Sequence, residues 1–110
     1  MCSSDLWERS EIYDSNFRTA LPERPSDIVR NRVHTCIFND IAGLRARDEI
    51  GMDHLMFEID YPHADSTFPH SDRTAEKLAS EAGLSEEETY KFVRGNAIEC
   101  YGLSRFGITK

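Results

Sequence analysis

Residues 54–69 read His-Leu-Met-Phe-Glu-Ile-Asp-Tyr-Pro-His-Ala-Asp-Ser-Thr-Phe-Pro, a buried strand running into a loop crowded with carboxylates and histidines. Leu55, Phe57 and Ile59 alternate with Met56, Glu58 and Asp60, a period of two that puts the two sets on opposite faces. Both faces are partly apolar, the pattern of a parallel strand with helices on one side and a core on the other. Pro62 lacks an amide hydrogen and steers Tyr61 away from helix, so the strand is expected to end near Asp60. Asp60 then closes its face at the carboxyl end of the strand, where α/β folds place their chemistry. Glu58 shares that face and is expected to project inward, where a carboxylate must pair with a cation or support the site from behind.

Working outward, residues 33–38, Val-His-Thr-Cys-Ile-Phe, are β-branched and aromatic and predict a first strand, with Cys36 buried in it. Asn39 and Asp40 offer a cap to a helix that carries Ile41, Ala42 and Leu44 on one side, reaches Ile50 and stops at Gly51. Residues 33–60 thus predict a strand, helix, strand unit with parallel strands. Downstream, Ala75, Leu78, Ala79 and Ala82 recur at helical spacing up to Gly83. Ser85 and Glu88 form a capping box for a helix expected to reach about Arg94. Gly95-Asn96 is expected to break it, and a short helix from Ala97 ends at Gly102. Upstream, residues 1–27 are the least regular, with room for one helical stretch. Pro22 and Pro25 interrupt the segment, and Ser26 is the expected cap of a turn starting at Asp27.

Composition limits the function classes. The chain of 110 residues is 39% hydrophobic and 30% charged, with no apolar run long enough to cross a bilayer. Its first residues show neither a basic nor an apolar signal region, so a cytoplasmic location without membrane partners is expected. A net charge of −7 and 13 dispersed basic residues argue against nucleic acid. The local pairs Arg30 with Arg32 and Arg45 with Arg47 read as solvated helix faces. Cys2, Cys36 and Cys100 lack the paired spacing of a zinc knuckle or redox motif and read as reduced thiols.

The chemistry-bearing residues gather after the second strand. Asp60, His63, Asp65 and His70 supply carboxylate oxygen and imidazole nitrogen, which suit zinc or another divalent ion. A strand-end aspartate can also take a proton from a bound water. An independent site would need all four to converge in a loop stiffened by Pro62. His34 and His54, at the starts of the strands, are expected to face solvent or satisfy local backbone.

The block of residues 39–69, Asn-Asp-Ile-Ala-Gly-Leu-Arg-Ala-Arg-Asp-Glu-Ile-Gly-Met-Asp-His-Leu-Met-Phe-Glu-Ile-Asp-Tyr-Pro-His-Ala-Asp-Ser-Thr-Phe-Pro, resembles the closing part of the amidohydrolase-related family. That family comprises metal-dependent TIM-barrel hydrolases and decarboxylases, including the aminocarboxymuconate-semialdehyde decarboxylase-like branch. Residues 94–103, Arg-Gly-Asn-Ala-Ile-Glu-Cys-Tyr-Gly-Leu, resemble its terminal Gly-Asn-Ala helix, and residues 24–28, Arg-Pro-Ser-Asp-Ile, are compatible with the lead into its seventh strand. The resemblance implies that residues 33–39 are strand seven and 54–60 strand eight. Asp60 would then be the catalytic aspartate that binds or adjoins a divalent metal, commonly zinc. Glu58 and His63 would lie behind the site or in its substrate loop.

The family's His-x-His has no counterpart anywhere in the chain, and a complete barrel takes about 250 residues. The expectation is therefore an α/β chain, a partial TIM barrel. Residues 1–110 would form its carboxyl-terminal part, with the last two βα units and the terminal helices. The parent activity would be metal-assisted hydrolysis or non-oxidative decarboxylation of a small carboxylated or carbonyl substrate, with little or none in the isolated chain. The alternative is a non-enzymatic α/β module whose open strand edges drive self-association or pair with a complementing amino-terminal half.

Overall fold

The computed structural model describes residues 7–8 and 22–109, and the chain divides into two compact units, Met1–Val33 and His34–Lys110. In the first unit, residues 7 and 8 are helical. The rest of the expected amino-terminal helical stretch, and Cys2, lie outside the described residues. Helix α1, Pro25–Arg32, starts two residues earlier than expected. Arg24 rather than Ser26 holds the N-cap position, because Pro25 brings a pre-set φ to the first helical residue, where its missing amide costs nothing. Arg24 pairs with Glu8, and Arg32 with Glu23 at 2.5 Å.

The second unit is mixed α/β. Strands β1, Thr35–Ile37, and β2, Leu55–Phe57, form a parallel two-stranded sheet in the register Thr35 to Leu55, Cys36 to Met56 and Ile37 to Phe57. The crossover holds α2, Ile41–Arg45, and α3, Arg47–Ile50. Asp40 caps α2 by accepting from the amides of Ala42 at 2.9 Å and Gly43 at 3.3 Å. The single expected helix is broken at Ala46, whose ψ of 11° leaves the helical range. Gly51, with φ 103°, ends the segment in a conformation that side chains avoid. Helix α4, Ser71–Ala82, then ends at the left-handed Gly83 as its periodicity predicts.

Helix α5, Glu86–Tyr90, opens with the expected capping box: Ser85 Oγ accepts from the Glu88 amide, and Glu88 accepts from the Ser85 amide at 2.8 Å. The expected break at Gly95-Asn96 is absent. A π turn, Lys91–Gly95, joins α5 to α6, Asn96–Cys100, with Gly95 in helical conformation. Gly95 is required by close approach, since a Cβ there would lie 2.8 Å from the Tyr90 ring. Phe92 and Asn96, four residues apart on one face of the run, are both buried in the unit.

Its core is Ile37, Leu44, Leu55, Leu78 and Phe92, with Ile41, Ile50, Met52, Phe57, Ala82 and Leu84 packed against it. Each such side chain contributes about 1.5–3 kcal/mol on full burial. The strands depart from expectation in length. The last ladder bond, Glu58 N–H to Ile37 C=O at 3.1 Å, ends the pairing, so Ile59 is exposed and Asp60 lies beyond the strand. Cys36 and Glu58, expected inside, are exposed, although Met56, in register with Cys36 on the same face, is buried. Partial burial, and then the Glu58 carboxylate beside it, push the Cys36 thiol above its ordinary pKa.

Arg47 is not a merely solvated helix residue. Its Nε donates to Glu88 at 2.8 Å, joining α3 to the start of α5. The Ser85 amide, and next the Arg47 guanidinium, hold the Glu88 carboxyl below the usual glutamate range. The stability this gives is complete above the unfolded glutamate pKa of about 4.3 and is lost as pH falls from there through the lowered folded value. Glu88→Gln should therefore lower stability by about 1 kcal/mol at about pH 7, and its urea midpoint should converge on that of the wild type as pH falls through the lowered folded value. Asn96, 3% exposed, donates through Nδ2 to the carbonyls of Met52 at 2.7 Å and Leu55 at 2.8 Å. Asn96→Ala should cost about 2–3 kcal/mol in urea unfolding, because it leaves both carbonyls short of a donor.

Candidate functional site

The site is built by the way the chain leaves β2. Asp60 has φ 55°, the left-handed region that Asp tolerates better than most residues because its short side chain can bond locally. Two turns follow in succession: His63 N–H donates to Asp60 C=O at 2.9 Å, and Ser66 N–H to His63 C=O at 3.1 Å. Thr67 N–H then donates to Ile59 C=O at 3.1 Å and closes the loop at its base. Tyr61 and Phe68 meet edge to face across it, 5.0 Å between ring centres, although both are largely exposed. Thr67 Oγ1 donates to Ser71 Oγ at 3.0 Å, fastening the loop to the first turn of α4.

This folding brings Asp60, His63 and Asp65 together, with one ligand atom from each lying within 4.8 Å of the others. His63 Nδ1 and Asp60 Oδ2 are in hydrogen-bond contact at 3.0 Å. All three residues are exposed. Carboxylate, imidazole and carboxylate form a donor set that suits zinc and its borderline neighbours. Two carboxylates this close also repel each other, and a divalent cation between them would remove that repulsion. The residues present thus fit a metal ion, with solvent access for a further ligand.

Of the residues singled out in the sequence, Asp60 and His63 meet, and Asp65 joins them. His70 does not. It precedes α4, and its backbone carbonyl accepts from the amide and the hydroxyl of Thr74, at 3.1 and 3.2 Å. Glu58 lies on the far side of Ile59 from Asp60 and faces Cys36 instead of the cluster. Asp65 stands among the four candidate ligands of the sequence, but nothing in its spacing shows that two successive turns fold it, and not His70, back onto Asp60.

The amidohydrolase family model matches residues 8–103. The chain belongs to the amidohydrolase family. No curated protein matches it significantly. The match takes in both strands, the crossover, the acidic loop and the helices through the Gly-Asn-Ala segment. The family is generally metal-dependent, and the Asp60, His63, Asp65 cluster is the metal-capable group among the described residues. Among those residues no helix is long and apolar enough to cross a membrane.

The left-handed Asp60 separates folding from ligand binding. Asp60→Asn, which keeps a residue suited to positive φ, should leave the urea midpoint within about 0.5 kcal/mol of the wild type. Asp60→Val should cost about 1–2 kcal/mol, since a β-branched side chain clashes there. Equal midpoints for both variants would contradict the strained loop.

Proposed function

We propose that this amidohydrolase supplies the last two βα units of a metal-dependent TIM barrel. Residues 33–39 would be its seventh strand, 54–60 its eighth, and Asp60 the metal and catalytic aspartate. The observation that carries the reading is the meeting of Asp60, His63 and Asp65 just past the carboxyl end of a parallel strand, the position where such barrels hold their active sites. The substrate class is a small carboxylated or carbonyl compound, and the reaction is hydrolysis or non-oxidative decarboxylation.

A zinc-class ion in such a site lowers the pKa of bound water to about 7 and polarises a carbonyl. The chain's own contribution is to hold and orient. Asp60 accepts a proton from an attacking water, or supplies one to the carbon that loses carboxylate. His63, 3.0 Å from Asp60 Oδ2, fixes the direction of that carboxylate. Tyr61 and Phe68 give the loop an apolar flank against which the body of a small substrate can pack. The chain has one such aspartate and no His-x-His, so turnover is expected to need the rest of a barrel, while metal capture needs only the loop.

Calorimetric titration of the chain with zinc tests this. The wild type should bind in the micromolar range, Asp60→Asn should lose that binding, and His63→Ala should weaken it. An Asp60→Asn variant whose zinc affinity at the loop equals that of the wild type would overturn the assignment.

A further inference from the structure

The three residues of the acidic loop sit on two backbone turns, and those turns are held from their ends. The near end is fixed by the last ladder bond of β2, Glu58 N–H to Ile37 C=O at 3.1 Å. The far end is Thr67, whose hydrogen-bonding groups are all engaged. Its N–H donates to Ile59 C=O at 3.1 Å, its C=O accepts from the His70 N–H at 2.8 Å, and its Oγ1 donates to Ser71 Oγ at 3.0 Å. The first bond reaches back to the exit of β2. The other two reach forward, to the N-cap position and the first residue of α4. A single residue thus joins both elements between which the loop hangs.

The hydroxyl bond has the character of a positioning contact. Thr67 and Ser71 are half-buried, whereas Asp60, His63 and Asp65 are exposed, so water competes less for this bond than for contacts within the cluster. Threonine is β-branched and stiff at χ1, which gives its hydroxyl a defined direction. Opposing the bond is the repulsion between the Asp60 and Asp65 carboxylates, which in the absence of an ion favours an open loop. A loop already closed when the ion arrives loses less conformational freedom on binding, and its apparent affinity is higher by that margin.

We propose that Thr67 is a positioning residue of the loop: through Ser71 it locks the two turns against α4 and presets Asp60, His63 and Asp65 for a metal ion. The inference rests on the metal reading of the loop. It adds that the affinity is set in part by a hydroxyl pair outside the ligand set.

Zinc titration of the 110-residue chain, in parallel with amide hydrogen exchange of the metal-free protein, tests this. Thr67→Val keeps the branched shape and removes the hydroxyl. It should weaken zinc binding about fivefold, the worth of one hydrogen bond. Exchange of the His63 and Ser66 amides should speed up by a similar factor, with the far-ultraviolet circular dichroism unchanged. Thr67→Ser should restore both the affinity and the slow exchange. Ser71→Ala should act as Thr67→Val does, and combining the two should weaken binding no further, because both remove the same bond. Equal zinc affinities for the wild type and Thr67→Val, or losses from the two substitutions that add in full, would overturn the role of Thr67 and leave the metal site standing. So would a Thr67→Ser variant as weak as Thr67→Val. Absence of zinc binding by the wild type would overturn the metal reading itself, and this role with it.

Discussion

Two hydrogen bonds from one buried amide hold the start of β2 in place: Asn96 Nδ2 to the carbonyls of Met52 and Leu55. These carbonyls lie where a 3₁₀ turn passes into a strand, and the Met52 carbonyl also accepts from the Leu55 amide that closes the turn. A polar side chain this deeply buried is favourable only when its bonds are made, and here they join residues more than forty positions apart. The π turn and α6 form one continuous helical run, in which Phe92 enters the apolar core and Asn96, four residues on, reaches β2. The aromatic pair Phe57 and Phe92, 5.7 Å between ring centres, then packs the far end of β2 against the same turn.

From that anchored strand the loop inherits its position. Glu58 makes the last ladder bond, Asp60 turns the chain through a left-handed residue, and two turns bring His63 and Asp65 back to it. The loop departs from several local preferences at once. It holds a positive φ at a residue with a side chain, two carboxylates near each other and two exposed aromatic rings. Proteins tolerate such departures mainly where a site needs them, with the rest of the fold supplying the stability. In this chain the supply comes from the β2 anchor, the apolar core and the Arg47 to Glu88 pair.

The features written in local chemistry were legible in the sequence. The Asp40 cap, the α4 stripe that ends at Gly83, the capping box of Ser85 and Glu88, and the parallel strand, helix, strand unit all stand where periodicity and capping place them. Asp60 as the centre of the acidic loop was legible too. What depends on distant pairing was not. The strands are shorter than their apolar runs because only residues 35–37 and 55–57 find ladder partners. Cys36 and Glu58 alternate as interior residues do, yet on their face only Met56 between them is covered. Gly95-Asn96 reads as a break by composition, whereas the ring of Tyr90 needs the glycine and two carbonyls need the asparagine. His34 and His54 each look unremarkable alone, and only the register makes them a pair.

The central claim is that the loop after β2 is a metal site made by Asp60, His63 and Asp65. Anomalous diffraction from zinc-soaked crystals of the chain, collected on both sides of the zinc absorption edge, tests it most directly. The account predicts an anomalous peak bonded to Asp60, His63 and Asp65 at about 2.0–2.2 Å. Full zinc occupancy elsewhere in the chain, with no peak between these three side chains, would contradict it.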